Sequence, residues 1–131
     1  MKKVLFVCVG NAGRSQMAEA FFSHMAGGKA KASSAGTNPA NIIDPKVVEI
    51  MKEVGIDISS NRPKKLTVEM LDKADKVITM GCGVEEACPA SFVETEDWEL
   101  KDPKSQSIER IREIRNQIKT RVEELIKEMQ I

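Results

Sequence analysis

A single α/β domain of the doubly wound type is what the sequence predicts, on three observations. Short apolar, β-branched runs alternate with stretches whose apolar residues recur at helical spacing. The chain has 131 residues, 41% hydrophobic and 31% charged, which suits one ordinary domain with a core that needs neither disulfides nor structural metal. No internal repeat, low-complexity tract or linker divides residues 1–131. Right-handed crossovers in such a sheet place ligands beyond the carboxyl ends of its strands.

The elements follow in order. Val4-Leu5-Phe6-Val7-Cys8-Val9 is apolar on both faces and reads as a strand buried from two sides, ended by Gly10-Asn11-Ala12-Gly13. From Ser15 the period becomes helical. Met17, Ala18, Phe21, Phe22 and Met25 share a face, and Gly27-Gly28 supply a left-handed stop. Residues 31–35 make a weak second strand, because Ala and Ser carry little β preference. Asp44 caps and Pro45 opens a second helix, with Val47, Val48, Met51 and Val54 at helical spacing and Gly55 closing it. Residues 59–63 read as loop, 68–71 as a short helix and 76–80 as another buried strand. The loop after that strand carries Cys82 and Cys88, and a fourth strand falls either at Ser91-Phe92-Val93 or near Glu96-Asp97-Trp98. Ser107 caps a long last helix. Its Ile108, Ile111, Ile114, Ile118, Val122, Leu125, Ile126 and Met129 form one apolar stripe, expected to pack on the sheet rather than on a partner helix.

Composition excludes several classes of function. Lys plus Arg total 20 and Asp plus Glu total 20, so no net charge points to nucleic acid or an anionic membrane as partner. The run 4–9 is far short of the ~20 residues that span a bilayer, and no signal-peptide cleavage pattern follows it, so a cytoplasmic location is expected. A monomer is the default expectation. Three cysteines are too few for a disulfide scaffold, and in a reducing compartment their jobs are chemistry or metal binding.

The segment Cys8-Val9-Gly10-Asn11-Ala12-Gly13-Arg14-Ser15 puts a cysteine at the end of a buried strand, an arginine six positions on and a helix directly after. Each part has a physical use. Gly10 and Gly13 are expected to take backbone angles closed to other residues, so that successive N–H groups point inward as an anion nest. The helix N-terminus adds positive partial charge. Arg14 can fork two hydrogen bonds onto a tetrahedral oxyanion. Cys8 above this nest is favoured as thiolate, and Ser15 is placed to give the sulfur its hydroxyl hydrogen. Val9 to Ser15 are thus the expected anion-binding residues, around Cys8 as nucleophile.

This segment resembles the phosphate-binding loop of low-molecular-weight protein tyrosine phosphatases, and Arg14-Ser15-Gln16-Met17-Ala18-Glu19 is more similar to their relatives, the thioredoxin-coupled arsenate reductases. Ser34-Ala35-Gly36-Thr37, Gly55-Ile56-Asp57-Ile58-Ser59 and Trp98-Glu99-Leu100-Lys101-Asp102-Pro103 match further blocks in order, so the resemblance covers essentially the whole chain. It implies a four-stranded parallel sheet flanked by helices. It also implies that Asp102, followed by Pro103, is the general acid, and that Cys8, Cys82 and Cys88 form a redox relay. In that relay Cys8 makes a covalent arsenate adduct, Cys82 attacks Cys8, Cys88 attacks Cys82, and thioredoxin or a similar dithiol reduces the resulting disulfide. No cofactor or metal is called for.

The chain departs from its relatives in places. Five residues separate Cys82 from Cys88, one fewer than in the better-known reductases. Gly13 stands where many relatives have a further cysteine. Lys64 stands near a carboxylate through which some reductases bind potassium, which argues against a cation site. The chain has no Tyr, which leans against a phosphotyrosine substrate. A phosphatase using Cys8 and Asp102 is the alternative activity. A zinc site of the three cysteines and His24 lacks the usual short ligand spacing, and His24 is expected to face solvent. A non-catalytic arsenite sensor would leave Arg14 and the nest without a role.

Overall fold

Four parallel strands, β1 (Lys2–Cys8), β2 (Ala30–Gly36), β3 (Lys76–Thr79) and β4 (Glu94–Asp97), form one sheet in the order β2-β1-β3-β4. The computed structural model describes residues 2–80, 94–101 and 103–130. Central β1 is enclosed as its apolar run requires: Val4, Phe6 and Cys8 point to one face and Leu5 and Val7 to the other, none more than 2% exposed.

The larger core lies on the Phe6 face. Helices α1 (Arg14–Ala26), α2 (Pro45–Lys52) and α4 (Ile108–Glu128) pack there, contributing Met17, Phe21 and Phe22, then Val47, Ile50 and Met51, then Ile111, Ile114, Ile118, Val122 and Leu125. The caps are those the sequence offers. Asp44 accepts the Lys46 N–H, Ser107 accepts the Arg110 N–H, and Gly27 ends α1 in the left-handed conformation. On the other face the short α3 (Val68–Lys73), capped by Thr67, lays Met70 and Leu71 against Leu5, Val7 and Val77. No described helix is long and apolar enough to cross a membrane.

Two expectations need correction or resolution. Val54 is 39% exposed, because α2 ends at Lys52 and the chain turns through Gly55 at φ +80°; Ile50, not singled out from the sequence, takes the buried place. The fourth strand falls at Glu94–Asp97, overlapping the second of the two alternatives at Glu96 and Asp97, whereas Ser91-Phe92-Val93 lies outside the described residues. Trp98 extends the pairing with an N–H to Thr79 O at 2.8 Å and packs its ring 5.7 Å from that of Phe6.

Strand order positions the site. The connection through α1 carries the chain from β1 to β2 on one side, and the return from β2 reaches β3 on the other side of β1. Beyond the carboxyl ends of β1 and β3 the connections diverge and leave a crevice.

Candidate active site

At that crevice β1 ends in Cys8 and the chain loops through residues 9–13 into α1. Four loop carbonyls are turned outward by a wrapping segment: Thr37 N–H donates to Cys8 O (3.2 Å), Asn38 to Val9 O (2.9 Å), Ala40 to Gly10 O (2.9 Å) and Asp44 to Ala12 O (3.0 Å). In a trans peptide the carbonyl and the following N–H point in opposite directions. The amides of Val9, Gly10, Asn11 and Gly13 therefore face inward, and α1 adds its N-terminal field.

Cys8 Sγ, 2% exposed, accepts the Asn11 N–H at 3.2 Å and lies 2.9 Å from Ser15 Oγ. Neighbouring atoms fix the direction of the second contact. A backbone N–H only donates, so the Asn11 atom 2.9 Å from Lys64 N is Oδ1. Asn11 Nδ2 then donates to Ser15 Oγ at 2.7 Å, which leaves the Ser15 hydroxyl to donate to sulfur. Two donors converge on Cys8, the setting a nucleophilic thiolate needs.

The glycines act differently from expectation. Asn11, not Gly10 or Gly13, adopts the left-handed conformation, at φ +50°. Asparagine tolerates that conformation better than most residues. Gly13 is required for space, since a Cβ there would lie 2.7 Å from Pro103 Cγ. Gly36 is tighter still: a Cβ would lie 2.6 Å from the Val9 carbonyl oxygen.

Arg14 is 3% exposed, and its Nη1 donates to the carbonyls of Met80 and, at 2.9 Å, Leu100. It thereby ties the loop to the ends of β3 and of the segment after β4. A cavity of about 480 Å³ opens above, lined on the loop side by Cys8, Val9, Gly10, Ala12, Gly13 and Arg14. Asn38, Pro39, Ala40, Ile42, Asp44, Pro103 and Lys104 complete the wall. Asn11 and Ser15 do not line it; both are fully buried behind the loop. Of this wall the sequence singled out Asp44 as a helix cap and Pro103 after Asp102, whereas residues 38–42 and Lys104 carried no motif. Cys82, Cys88 and Asp102 lie outside the described residues, while Pro103 is buried against the loop. His24 is exposed near the end of α1.

A buried sulfur at the end of β1, inward amides and an arginine at the start of the next helix come together at the carboxyl end of a parallel sheet, the arrangement a cysteine-dependent oxyanion site requires. The chain belongs to the low molecular weight phosphotyrosine protein phosphatase family, which it matches over residues 3–131. Among its relatives, the glutaredoxin arsenate reductase of Synechocystis sp. is 43% identical over 130 residues, 96% of this chain and 97% of that protein. A solved arsenate reductase in its phosphate-binding state superposes with a TM-score of 0.87 at 42% identity, covering 98% of each chain. The thioredoxin-dependent arsenate reductase of Corynebacterium glutamicum gives 0.83 at 44% identity, over 99% of this chain and 62% of that one.

Proposed function

We propose that the chain reduces arsenate to arsenite, using Cys8 as nucleophile and Cys82 and Cys88 as the relay. The observation that carries this reading is the loop: a buried sulfur with two donors sits beneath inward amides. It does so in a chain more than 40% identical to arsenate reductases over nearly its whole length.

The loop amides and the Arg14 guanidinium hold three arsenate oxygens while the Cys8 thiolate attacks arsenic, and Asp102 protonates the departing oxygen, which leaves as water. Cys82 thiolate then attacks the Cys8 sulfur. The new S–S bond forms as the S–As bond breaks, and its electron pair stays on arsenic, which departs as arsenite. Cys88 attacks Cys82 and releases Cys8 as thiolate. Thioredoxin or a similar dithiol returns two electrons to the Cys82–Cys88 disulfide. The reducing conditions of the cytoplasm keep such thiols ready. The family name favours a second reading, a phosphatase in which Cys8 takes a phosphoryl group and Asp102 protonates the leaving oxygen.

NADPH oxidation, coupled through thioredoxin and thioredoxin reductase with and without arsenate, separates the two. Arsenate-dependent turnover by the wild type that is lost in Cys88→Ser is the expected result. Brisk hydrolysis of an aryl phosphate without arsenate-dependent oxidation establishes the phosphatase instead. Replacing thioredoxin by glutaredoxin and glutathione identifies the reductant.

A further inference from the structure

Behind the loop stands a side chain that the chemistry above does not use. Gln16 is 1% exposed, in the first turn of α1, and all of its amide is engaged. Its Nε2 donates to Asn11 Oδ1 at 3.1 Å and to the Arg62 carbonyl at 3.3 Å, and its Oε1 accepts from Asn61 Nδ2 at 3.3 Å. The Arg62 carbonyl only accepts, so this orientation of the Gln16 amide is fixed, as that of Asn11 is by Lys64 N–H.

We propose that Gln16 is a positioning residue that holds the Asn11 amide in the orientation the Lys64 N–H selects, and so steadies the hydrogen bond received by Cys8. Gln16 and Lys64 N–H together fill Asn11 Oδ1, which turns Asn11 Nδ2 toward Ser15 Oγ and so commits the Ser15 hydroxyl to the sulfur. Asn61 and the Arg62 carbonyl hold Gln16 in turn, so the segment 61–64, which does not line the cavity, bears on a bond at the nucleophile. The charged groups around this chain include Arg62, whose carbonyl receives Gln16, the Glu19–Lys64 pair, 3.8 Å apart, and Arg14 with Asp44 and Lys104 around the cavity. None of them changes in the variants below. The inference rests on Cys8 being the nucleophile, and the readout is made on Cys8 itself.

The test follows carboxamidomethylation of the Cys8 peptide by iodoacetamide, using mass spectrometry, across the pH range in the wild type, Gln16→Met, Ser15→Ala and the double variant. Gln16→Met is expected to slow Cys8 modification about threefold near about pH 6, the worth of one neutral hydrogen bond. The gap should close toward about pH 10, above the ordinary thiol range. In the Ser15→Ala background the Gln16 effect should vanish, because the relay is already cut. An equal slowing at every pH, an undiminished effect in the Ser15→Ala background, or no effect at all overturns the proposal. Gln16→Leu, of similar size and with no polar atom, replaces Gln16→Met should that variant fail to fold. Loss of arsenate turnover by the wild type with this alkylation pattern intact counts against the reductase reading and leaves the role of Gln16 standing.

Discussion

Two polar clusters in this molecule are built on opposite plans. Behind the Cys8 loop, Asn11, Ser15 and Gln16 are neutral, at most 1% exposed, and joined by directional hydrogen bonds whose donors and acceptors admit one arrangement. At the seam between α2 and α4, Glu53 receives Arg112 at 2.7 Å and the buried Arg115 at 2.8 Å in a charged cluster whose Glu53 and Arg112 meet water. Neutral groups can be buried completely once each is satisfied, and their geometry then carries information to the sulfur. Charges at a rim remain hydrated and salt-screened, so the seam can align two helices without fixing any single atom closely.

The contrast can be broken most severely at Arg14. Arg14→Lys keeps the charge but loses the planar fork, and a single ammonium cannot both hold the Met80 and Leu100 carbonyls and face an oxyanion. A fall of about 10²–10³ in kcat/KM is expected, measured by steady-state kinetics with arsenate. Gly36→Ala tests the wrapping segment: its Cβ would meet the Val9 carbonyl oxygen, so the loop must shift. Activity should drop by about tenfold, and stability by roughly 1–3 kcal/mol in urea unfolding; unchanged kinetics would show that the loop tolerates displacement.

The smallest effect belongs to the seam. Hydrogen bonds from Arg112 first and Arg115 second push the Glu53 carboxyl down to about 2, from the usual 4.5. A carboxylate depressed in the folded state contributes stability above its ordinary range and loses that contribution as pH falls toward its folded value. Glu53→Gln should therefore lower Tm at neutral pH by fewer than about five degrees. The difference from wild type should shrink between about pH 4.5 and about pH 2, and arsenate kinetics should be untouched.

Much of the fold was legible because its signals are local and periodic. The unbroken apolar run of β1, the face of α1 from Met17 to Met25, the Asp44-Pro45 start and the α4 stripe needed no partner to be recognised. Strand β4 resisted for the opposite reason. Its sequence, Glu-Thr-Glu-Asp, has no apolar pattern, since an edge strand is recruited by main-chain pairing with β3. Arg115 carries no local signal either: it sits on a helix whose other arginines reach water, yet it is 8% exposed and donates to the Ile50 carbonyl at 2.9 Å.

At the site, the sequence by itself determined the parts that lie within eight consecutive residues, from Cys8 at the end of a strand to Arg14 and Ser15 at the start of a helix. Only the tertiary structure decided what holds them. The outward carbonyls are tied to residues 37–44 by backbone bonds, which any side chain permits and no motif records. Arg14 reaches carbonyls 66 and 86 residues away, and Asn11 is oriented by a backbone N–H 53 residues on. Main-chain donors and acceptors are the same at every position, so only the fold selects which of them meet.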